Sequence, residues 1–167
     1  MKTAPVRITQ ITDCHLGECE GDTILSMNPD EGLQDVLALM NRQHPVNDLL
    51  LLTGDLANYP APAVYSRLHR IVESQVSYPF AWLAGNHDDP QMMAAIDGDV
   101  NMAIHELGRW VIVLLNSRVP NETYGELSQQ QLAFLQATLA RHTDKHIMVS
   151  LHHQPVPIGS EWMDRYI

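Results

Sequence analysis

The sequence has 167 residues, of which 45% are hydrophobic, and its formal net charge at pH 7 is -10. This length and composition predict one domain with a buried core, spanning residues 1–167. The 10 Lys and Arg residues form no basic cluster, which argues against a nucleic-acid partner. The two cysteines, Cys14 and Cys19, do not form a CxxC motif, so neither a disulfide framework nor a thiolate zinc site is expected.

The sequence also lacks the features of a membrane protein. No apolar run approaches the roughly 18 residues of a spanning helix, and the first residues lead into a strand without an apolar leader segment. We therefore expect a cytoplasmic protein with no membrane partner.

Three apolar segments in the first half of the chain are predicted strands, at residues 6–12, 48–52 and 79–83. The middle one is apolar at four consecutive positions, which is typical of a parallel strand buried on both faces. Helical patterns separate the three segments. Crossovers of this kind predict parallel pairing.

The starts of the first and third predicted helices carry a capping residue followed by proline. Asn28 precedes Pro29, and Asp89 precedes Pro90, as expected at an N-cap and the first helical position. The helix after Asn28 is expected to end near His44. Its predicted buried face carries Leu33, Val36, Leu37 and Met40. The second predicted helix follows Pro62, with Val64, Leu68, Ile71 and Val72 facing the core.

The second half of the chain begins with a different pattern. Residues 102–107 and 110–115 flank Gly108-Arg109, which predicts an antiparallel hairpin. Ser128 and Gln131 predict the start of a fourth helix, and residues 146–151 predict the last strand. The inward face of that helix is expected to carry Leu132, Leu135 and Leu139. The order of elements predicts an α/β domain with a mainly parallel sheet covered by helices.

Four of the predicted strands are followed directly by aspartate, asparagine or histidine residues. In chain order these residues are Asp13, His15, Asp55, Asn86, His87, Asp88, His152 and His153. Because ligands bind outside the carboxyl ends of parallel strands, we expect these side chains to meet at one site. Carboxylate, amide and imidazole groups together are suited to a metal centre.

The spacing of Asp13 and His15 predicts that they act together. In an extended backbone, residues two apart point to the same face, so both could hold one ion while Cys14 points away. We interpret Cys14 as a small buried residue in preference to a reactive thiol.

A centre with two metal ions accounts for the set of ligands. Asp13, His15 and Asp55 would hold one ion, and Asp55, Asn86 and a later histidine would hold the other. Two ions roughly 3.5 to 4 Å apart can clamp a phosphate group between them.

The two residues after Asn86 are given other roles. His87 is expected to donate a hydrogen bond or a proton to the leaving oxygen. Asp88 either orients an imidazole ligand from behind or caps the loop.

The segments ITDCH, TGDLAN, LAGNHD and LHHQPVPIGS follow one another in this order. Together they resemble the calcineurin-like metallophosphoesterase superfamily, whose pattern is DxH, GD, GNH(D/E) and a histidine after a strand. Within it, the chain is most similar to the bacterial class III cyclic-nucleotide phosphodiesterases. The resemblance implies a four-layer αββα sandwich, with mixed sheets inside and helices on the outer faces.

The resemblance also implies the chemistry. It implies two Fe, Mn or Zn ions and a small phosphodiester substrate, with 3',5'-cyclic AMP hydrolysed to 5'-AMP by a metal-bound hydroxide. His87 matches the catalytic histidine and Asp55 the bridging ligand. For the fourth motif we expect His153 to be the ligand, because it lies two residues before Pro155, and His152 to be a neighbouring or substrate-side residue. The remaining metal ligands by this match are Asp13, His15 and Asn86.

One family motif, GHxH, does not occur in this sequence. We therefore expect three protein ligands for each ion and an incomplete second sheet. Its exposed edge would favour a homo-oligomer. Two alternatives stay open at this point: a broader phosphodiesterase acting on glycerophosphodiesters, and a weakly active or inactive metal-binding remnant.

Overall fold

The strands of the computed structural model, which describes residues 5–166, form two separate sheets. The first sheet is parallel, in the order β1-β2-β3, with β1 at Ile8–Ile11, β2 at Leu49–Thr53 and β3 at Phe80–Leu83. The second has the order β4-β5-β6, with β4 at Ile104–Leu107, β5 at Trp110–Leu114 and β6 at His146–Ser150. In it, β4 is antiparallel to β5 and β6 is parallel to β5.

Four α-helices cover the sheets: α1 at Pro29–Gln43, α2 at Pro62–Gln75, α3 at Pro90–Ala94 and α4 at Gln129–Arg141. The predicted caps of three of them are confirmed. The Asn28 side chain accepts hydrogen bonds from the N–H groups of Asp30 and Glu31. Asp89 accepts in the same way at α3, and Ser128 accepts at α4. These side chains satisfy backbone donors that have no partner within the helix.

Alternate residues of β2 belong to two different cores. Leu50 and Leu52 pack in the cluster that contains the buried residues of α1 and α2. Leu49 and Leu51 pack on the other face, in the cluster that contains Ile112 of β5. This period of two is the geometry of a strand buried on both sides.

The second sheet has the same two-sided arrangement. Ile112 faces the first sheet, whereas Val111 and Val113 pack with Phe134 and Leu135 of α4. The layers are therefore helices, sheet, sheet and helix, which confirms the αββα sandwich. The single mainly parallel sheet expected from the order of elements is wrong, because the hairpin and the last strand form a sheet of their own.

Two predictions about helix faces are also wrong. On α1, Leu33, Leu37 and Met40 are buried, but Val36 lies beside this stripe and is 47% exposed. On α4, Leu135 packs inward as predicted, whereas Leu132 and Leu139 are exposed.

The reason for the α4 error lies in the face that the helix presents. The inward side is centred on the buried Thr138, between Phe134 and Leu135, and Leu132 and Leu139 lie beyond Leu135 at the edge of that side, where they are exposed.

Candidate metal centre

The polar strand ends meet as predicted from parallel-strand geometry. A cavity of about 370 Å³ is lined by Asp13, His15, Asp55, Asn86, His87, His152 and His153. They follow β1, β2, β3 and β6. Asp88 is the one member of the predicted set that does not line the cavity, because it is fully buried.

The backbone at this site adopts a left-handed conformation at three residues that are not glycine. Their φ angles are 55° at Asp13, 44° at His15 and 51° at Asp55. Such angles are uncommon for residues with a side chain and cluster at functional sites. The extended backbone expected at Asp13 and His15 is therefore wrong, although both side chains do reach the same cavity.

Hydrogen bonds between two loops hold this conformation. The Asp13 N–H donates to the Gly54 carbonyl at 3.0 Å, and the His15 N–H donates to the Asp55 carbonyl at 2.9 Å. Cys14, between them, packs against the first core. Burial raises the pKa of its thiol to about 12, which agrees with a packing role.

Two glycines leave space for the Asp55 loop. A Cβ on Gly85 would overlap the Asp55 carboxylate and its backbone N–H, and a Cβ on Gly54 would overlap the His152 ring. Gly54 also has a φ of +98°, which favours glycine. The GD and GN sequences therefore bring three chain segments into contact.

Asp55 is the central residue of the cavity. Its Oδ2 lies 3.7 Å from His15 Nε2, and its Oδ1 lies 3.5 Å from His152 Nε2. Asp55 belongs to two groups of potential ligand atoms, and within each group all atoms lie within 4.8 Å of one another. One group also contains His15 and His87, and the other contains Asp13 and His152. A carboxylate shared by two groups is what a bridge between two ions requires.

Asp55 and the His152 imidazole stabilise each other's charged forms, with His152 Nε2 3.5 Å from Asp55 Oδ1. Burial alone would raise the pKa of Asp55, but the nearby His152 imidazole and the hydrogen bond from the His87 N–H outweigh burial and lower it. Burial disfavours the charged form of His152, yet Asp55 and the Thr53 carbonyl outweigh it and raise its pKa.

Two histidines have their ring orientation fixed by backbone carbonyls. His152 Nδ1 lies 2.8 Å from the Thr53 carbonyl, and His87 Nδ1 lies 2.9 Å from the Asn58 carbonyl. A carbonyl only accepts, so each Nδ1 carries a proton and each neutral ring keeps its lone pair on Nε2. This arrangement is typical of metal-binding histidines.

His153 has different surroundings. Its Nδ1 lies 2.8 Å from Ser117 Oγ, and its ring packs against Gly125. Its Nε2 is buried, and the Thr123 backbone lies on the same side of the cavity. Burial and the charge of His152 lower its pKa. His153 lines the cavity but belongs to neither ligand group, so its role as a ligand stays a prediction.

Asp88 lies beneath the cavity and organises two loops. Its carboxylate accepts hydrogen bonds from the N–H groups of Leu56, Ala57 and Gly85 and from the Tyr65 hydroxyl, all at 2.9 to 3.1 Å. Burial raises its pKa, although the backbone hydrogen bonds oppose this effect. These contacts favour loop capping over contact with an imidazole.

Sequence reasoning missed four further residues that line the cavity: Thr123, Gln154, Trp162 and Met163. Thr123, Gln154 and Trp162 lie outside the helices and strands, and Met163 begins a short 3-10 helix. Gln154 belongs to the quoted segment LHHQPVPIGS, but neither it nor the other three received a role from the sequence. Only the folded chain shows that these residues face the predicted ligands.

Comparison with known proteins identifies the family. The model of the calcineurin-like phosphoesterase family matches residues 6–166. The chain belongs to this family. Among curated relatives, this phosphoesterase is 39% identical over 168 residues to "3',5'-cyclic adenosine monophosphate phosphodiesterase CpdA" of Escherichia coli (strain K12), covering 98% of this chain and 60% of the relative.

Other curated relatives agree. The Pseudomonas aeruginosa protein of the same name is 36% identical over 163 residues, covering 96% of this chain and 60% of the relative. A Nostoc protein named "3',5'-cyclic-nucleotide phosphodiesterase alr5338" is 33% identical, covering 96% of this chain and 61% of the relative. The phosphoesterase chain thus spans about 60% of the length of these relatives.

The family binds a dinuclear metal centre, and the donor set of this phosphoesterase fits one. The shared Asp55 and the Nε2 atoms directed toward it are the observations that support the fit.

Within the part of the chain that the structure describes, no helix is both long and apolar enough to cross a membrane.

Proposed function

We propose that this phosphoesterase chain is a metal-dependent phosphodiesterase that hydrolyses 3',5'-cyclic AMP to 5'-AMP. The observation that carries the proposal is the sharing of Asp55 between two groups of ligand atoms inside one cavity. The names of the relatives support the choice of substrate.

The proposed ligands follow the order of the sequence motifs, whereas the interatomic distances place His15 and His87 in one group with Asp55, and Asp13 and His152 in the other. Asp13, His15 and Asp55 hold one ion, and Asp55, Asn86 and a histidine after β6 hold the other. Of the two candidates we favour His152 over the His153 of the sequence prediction, because His152 Nε2 lies 3.5 Å from Asp55 Oδ1. Metal ions bound here would supply Lewis acidity to the phosphodiester and lower the pKa of water.

His87 is the proposed proton donor. The Asn58 carbonyl holds one proton on Nδ1, so Nε2 is the atom that would take up a second proton from solvent and give it to the leaving oxygen. The ring is also held at the cavity wall, with its centroid 4.9 Å from that of His15. Asp88 helps to position His87, because its carboxylate holds the loops after β2 and β3 together.

The remaining parts of the proposal concern the metals, the assembly and the compartment. Mixed nitrogen and oxygen donors suit Fe, Mn or Zn. The exposed side chains of Leu139 and Val149 support a homo-oligomer. Two free cysteines, Cys14 and Cys19, support a cytoplasmic site. We also propose that the chain is a single domain.

The test is hydrolysis of cyclic AMP by protein loaded with Mn²⁺, followed by separation of the AMP product. The Asp55→Asn variant is the control, because it removes the shared carboxylate charge with little change in shape. We expect turnover by wild type and a loss of about 10³-fold in the variant.

Two results would replace the proposal with another. Higher catalytic efficiency on glycerophosphocholine than on cyclic AMP would indicate the broader phosphodiesterase. Protein that binds two ions per chain and hydrolyses neither substrate would indicate the inactive remnant.

A further inference from the structure

The cavity is larger than the metal ligands require. Its volume of about 370 Å³ falls within the range of roughly 300 to 1,000 Å³ that accommodates a whole small-molecule ligand. Beside the ligand residues, its wall contains Trp162 and Met163. A phosphate group alone gives no reason for an apolar wall at this place.

Trp162 is the lining residue with the largest aromatic surface. Its side chain belongs to the cavity wall and yet is 64% exposed. An indole ring offers a flat apolar face, and a planar aromatic ligand covers such a face by stacking on it. The substrate of the proposed reaction carries a planar purine in addition to its phosphate.

The turn that carries Trp162 is held by hydrogen bonds on both sides of it. The Asp164 carboxylate accepts from the N–H groups of Ile158 at 2.8 Å and Gly159 at 2.9 Å. Ser160 Oγ accepts from the Met163 N–H at 3.3 Å. These contacts fix the backbone on which the indole sits.

A further bond ties this turn to the strand end that bears the histidines. Gln154 Nε2 donates to the Met163 carbonyl at 2.9 Å, and Gln154 directly follows His153. The position of Trp162 is therefore coupled to the metal-ligand side of the cavity. A substrate held by its phosphate would meet the indole at a defined place.

We propose that Trp162 is the residue on which the base of a nucleotide substrate stacks, and that it makes the site bind nucleotides in preference to phosphate esters that lack a base. This inference rests on the proposed function for the position of the phosphate. It assigns selectivity to a residue outside the metal ligands, which contact only the phosphate that all these substrates share.

The experiment measures binding without turnover. Affinities of Mn²⁺-loaded protein for AMP and for inorganic phosphate are determined by calorimetry, and their ratio reports the contribution of the nucleoside. In Trp162→Leu, which keeps apolar bulk but removes the ring face, we expect the ratio to fall by about 10-fold or more. Trp162→Phe, which keeps a flat ring, should retain most of the wild-type ratio.

Trp110→Leu is the matched control, because Trp110 lies on β5 and does not line the cavity. It should leave the ratio unchanged. The inference is overturned if Trp162→Leu keeps the wild-type ratio, or if it weakens both ligands by the same factor. It is also overturned if the control lowers the ratio equally.

These outcomes are separate from those of the hydrolysis test. A protein that shows the expected change in ratio but does not hydrolyse cyclic AMP would refute the proposed function and keep the base-stacking surface. If the protein hydrolyses cyclic AMP but Trp162→Leu leaves the affinity ratio unchanged, the base-stacking surface is refuted and the proposed function is kept.

Discussion

The two sheets have three strands each but contribute differently to the site. In the first sheet every strand is parallel to its neighbour, and each one leads into residues that line the cavity. In the second sheet, β4 and β5 form a hairpin, and β6 alone leads directly into two of the predicted site residues, His152 and His153.

The burial of side chains also differs between the two sheets. The five residues of β2 are all buried, whereas Trp110 and Val149 of the second sheet are each 39% exposed. The first sheet with its helices provides most of the core and most of the predicted ligands. The second sheet closes one side of the site and supplies the last histidines.

Matched leucine truncations test the packing side of this comparison. Leu68 of α2 is fully buried against the first sheet, whereas Leu139 of α4 is 44% exposed. We expect Leu68→Ala to lower the free energy of unfolding by about 3 kcal/mol and Leu139→Ala by less than about 1 kcal/mol. Chemical denaturation of both variants measures this. Equal losses would show that α4 is packed as tightly as α2.

A second pair of variants tests the loops at the end of the first sheet. Asp88→Asn places an amide N–H₂ among four donors and should lower the free energy of unfolding by about 2 kcal/mol. Asp89→Asn is the control, because asparagine caps a helix as well as aspartate does. If Asp88→Asn were as stable as this control, the buried carboxylate would not organise the loops.

The stronger features of this architecture were predictable from the sequence. Asn28 and Asp89 are recognisable as caps because a proline follows each one, and that signal is local. The meeting of Asp13, Asp55 and Asn86 follows from parallel strands that end at one edge. Both inferences need only neighbours in sequence and a general rule of sheet geometry.

Other features depend on long-range contacts that a sequence pattern does not contain. The left-handed conformation of Asp13 and His15 is imposed by bonds to the loop of Gly54 and Asp55. Likewise, the choice between His152 and His153 depends on the partner of each ring, which is the Thr53 carbonyl at the end of β2 for His152 and the Ser117 hydroxyl after β5 for His153. Proximity in sequence gave no means to separate two adjacent histidines.

A third prediction concerns these two histidines. If His152 is the ligand after β6, His152→Asn should weaken metal binding by at least about 10-fold. His153→Asn should weaken it less, because His153 belongs to neither ligand group. Competition with a chelator measures both affinities. The reverse order would restore the ligand role to His153.

The smallest expected effect is the pH dependence of the metal-free protein. The pKa of Asp55 is lower in the folded protein than its unfolded value near 3.8, so the ionised carboxylate stabilises the fold above pH 3.8. This stabilisation is lost as the pH falls through the folded pKa. The raised pKa of His152 contributes stability that is complete below the unfolded value of 6.5 and is lost as the pH rises through the folded value.

The free energy of unfolding of metal-free protein should therefore decline above pH 6.5, by at most about 1.4 kcal/mol per pH unit for one proton. Denaturation at several pH values, with His152→Asn as the reference, measures this. A variant that shows the same decline as wild type would exclude His152 as its source.

The most direct test of the central claim, that Asp55 joins two metal sites at the ends of the first sheet, is the metal content of the purified protein. Elemental analysis after loading with Mn²⁺ should give two ions per chain for wild type and at most one for Asp55→Asn. Two ions per chain in the variant, or one in wild type, would contradict a centre built on a shared Asp55.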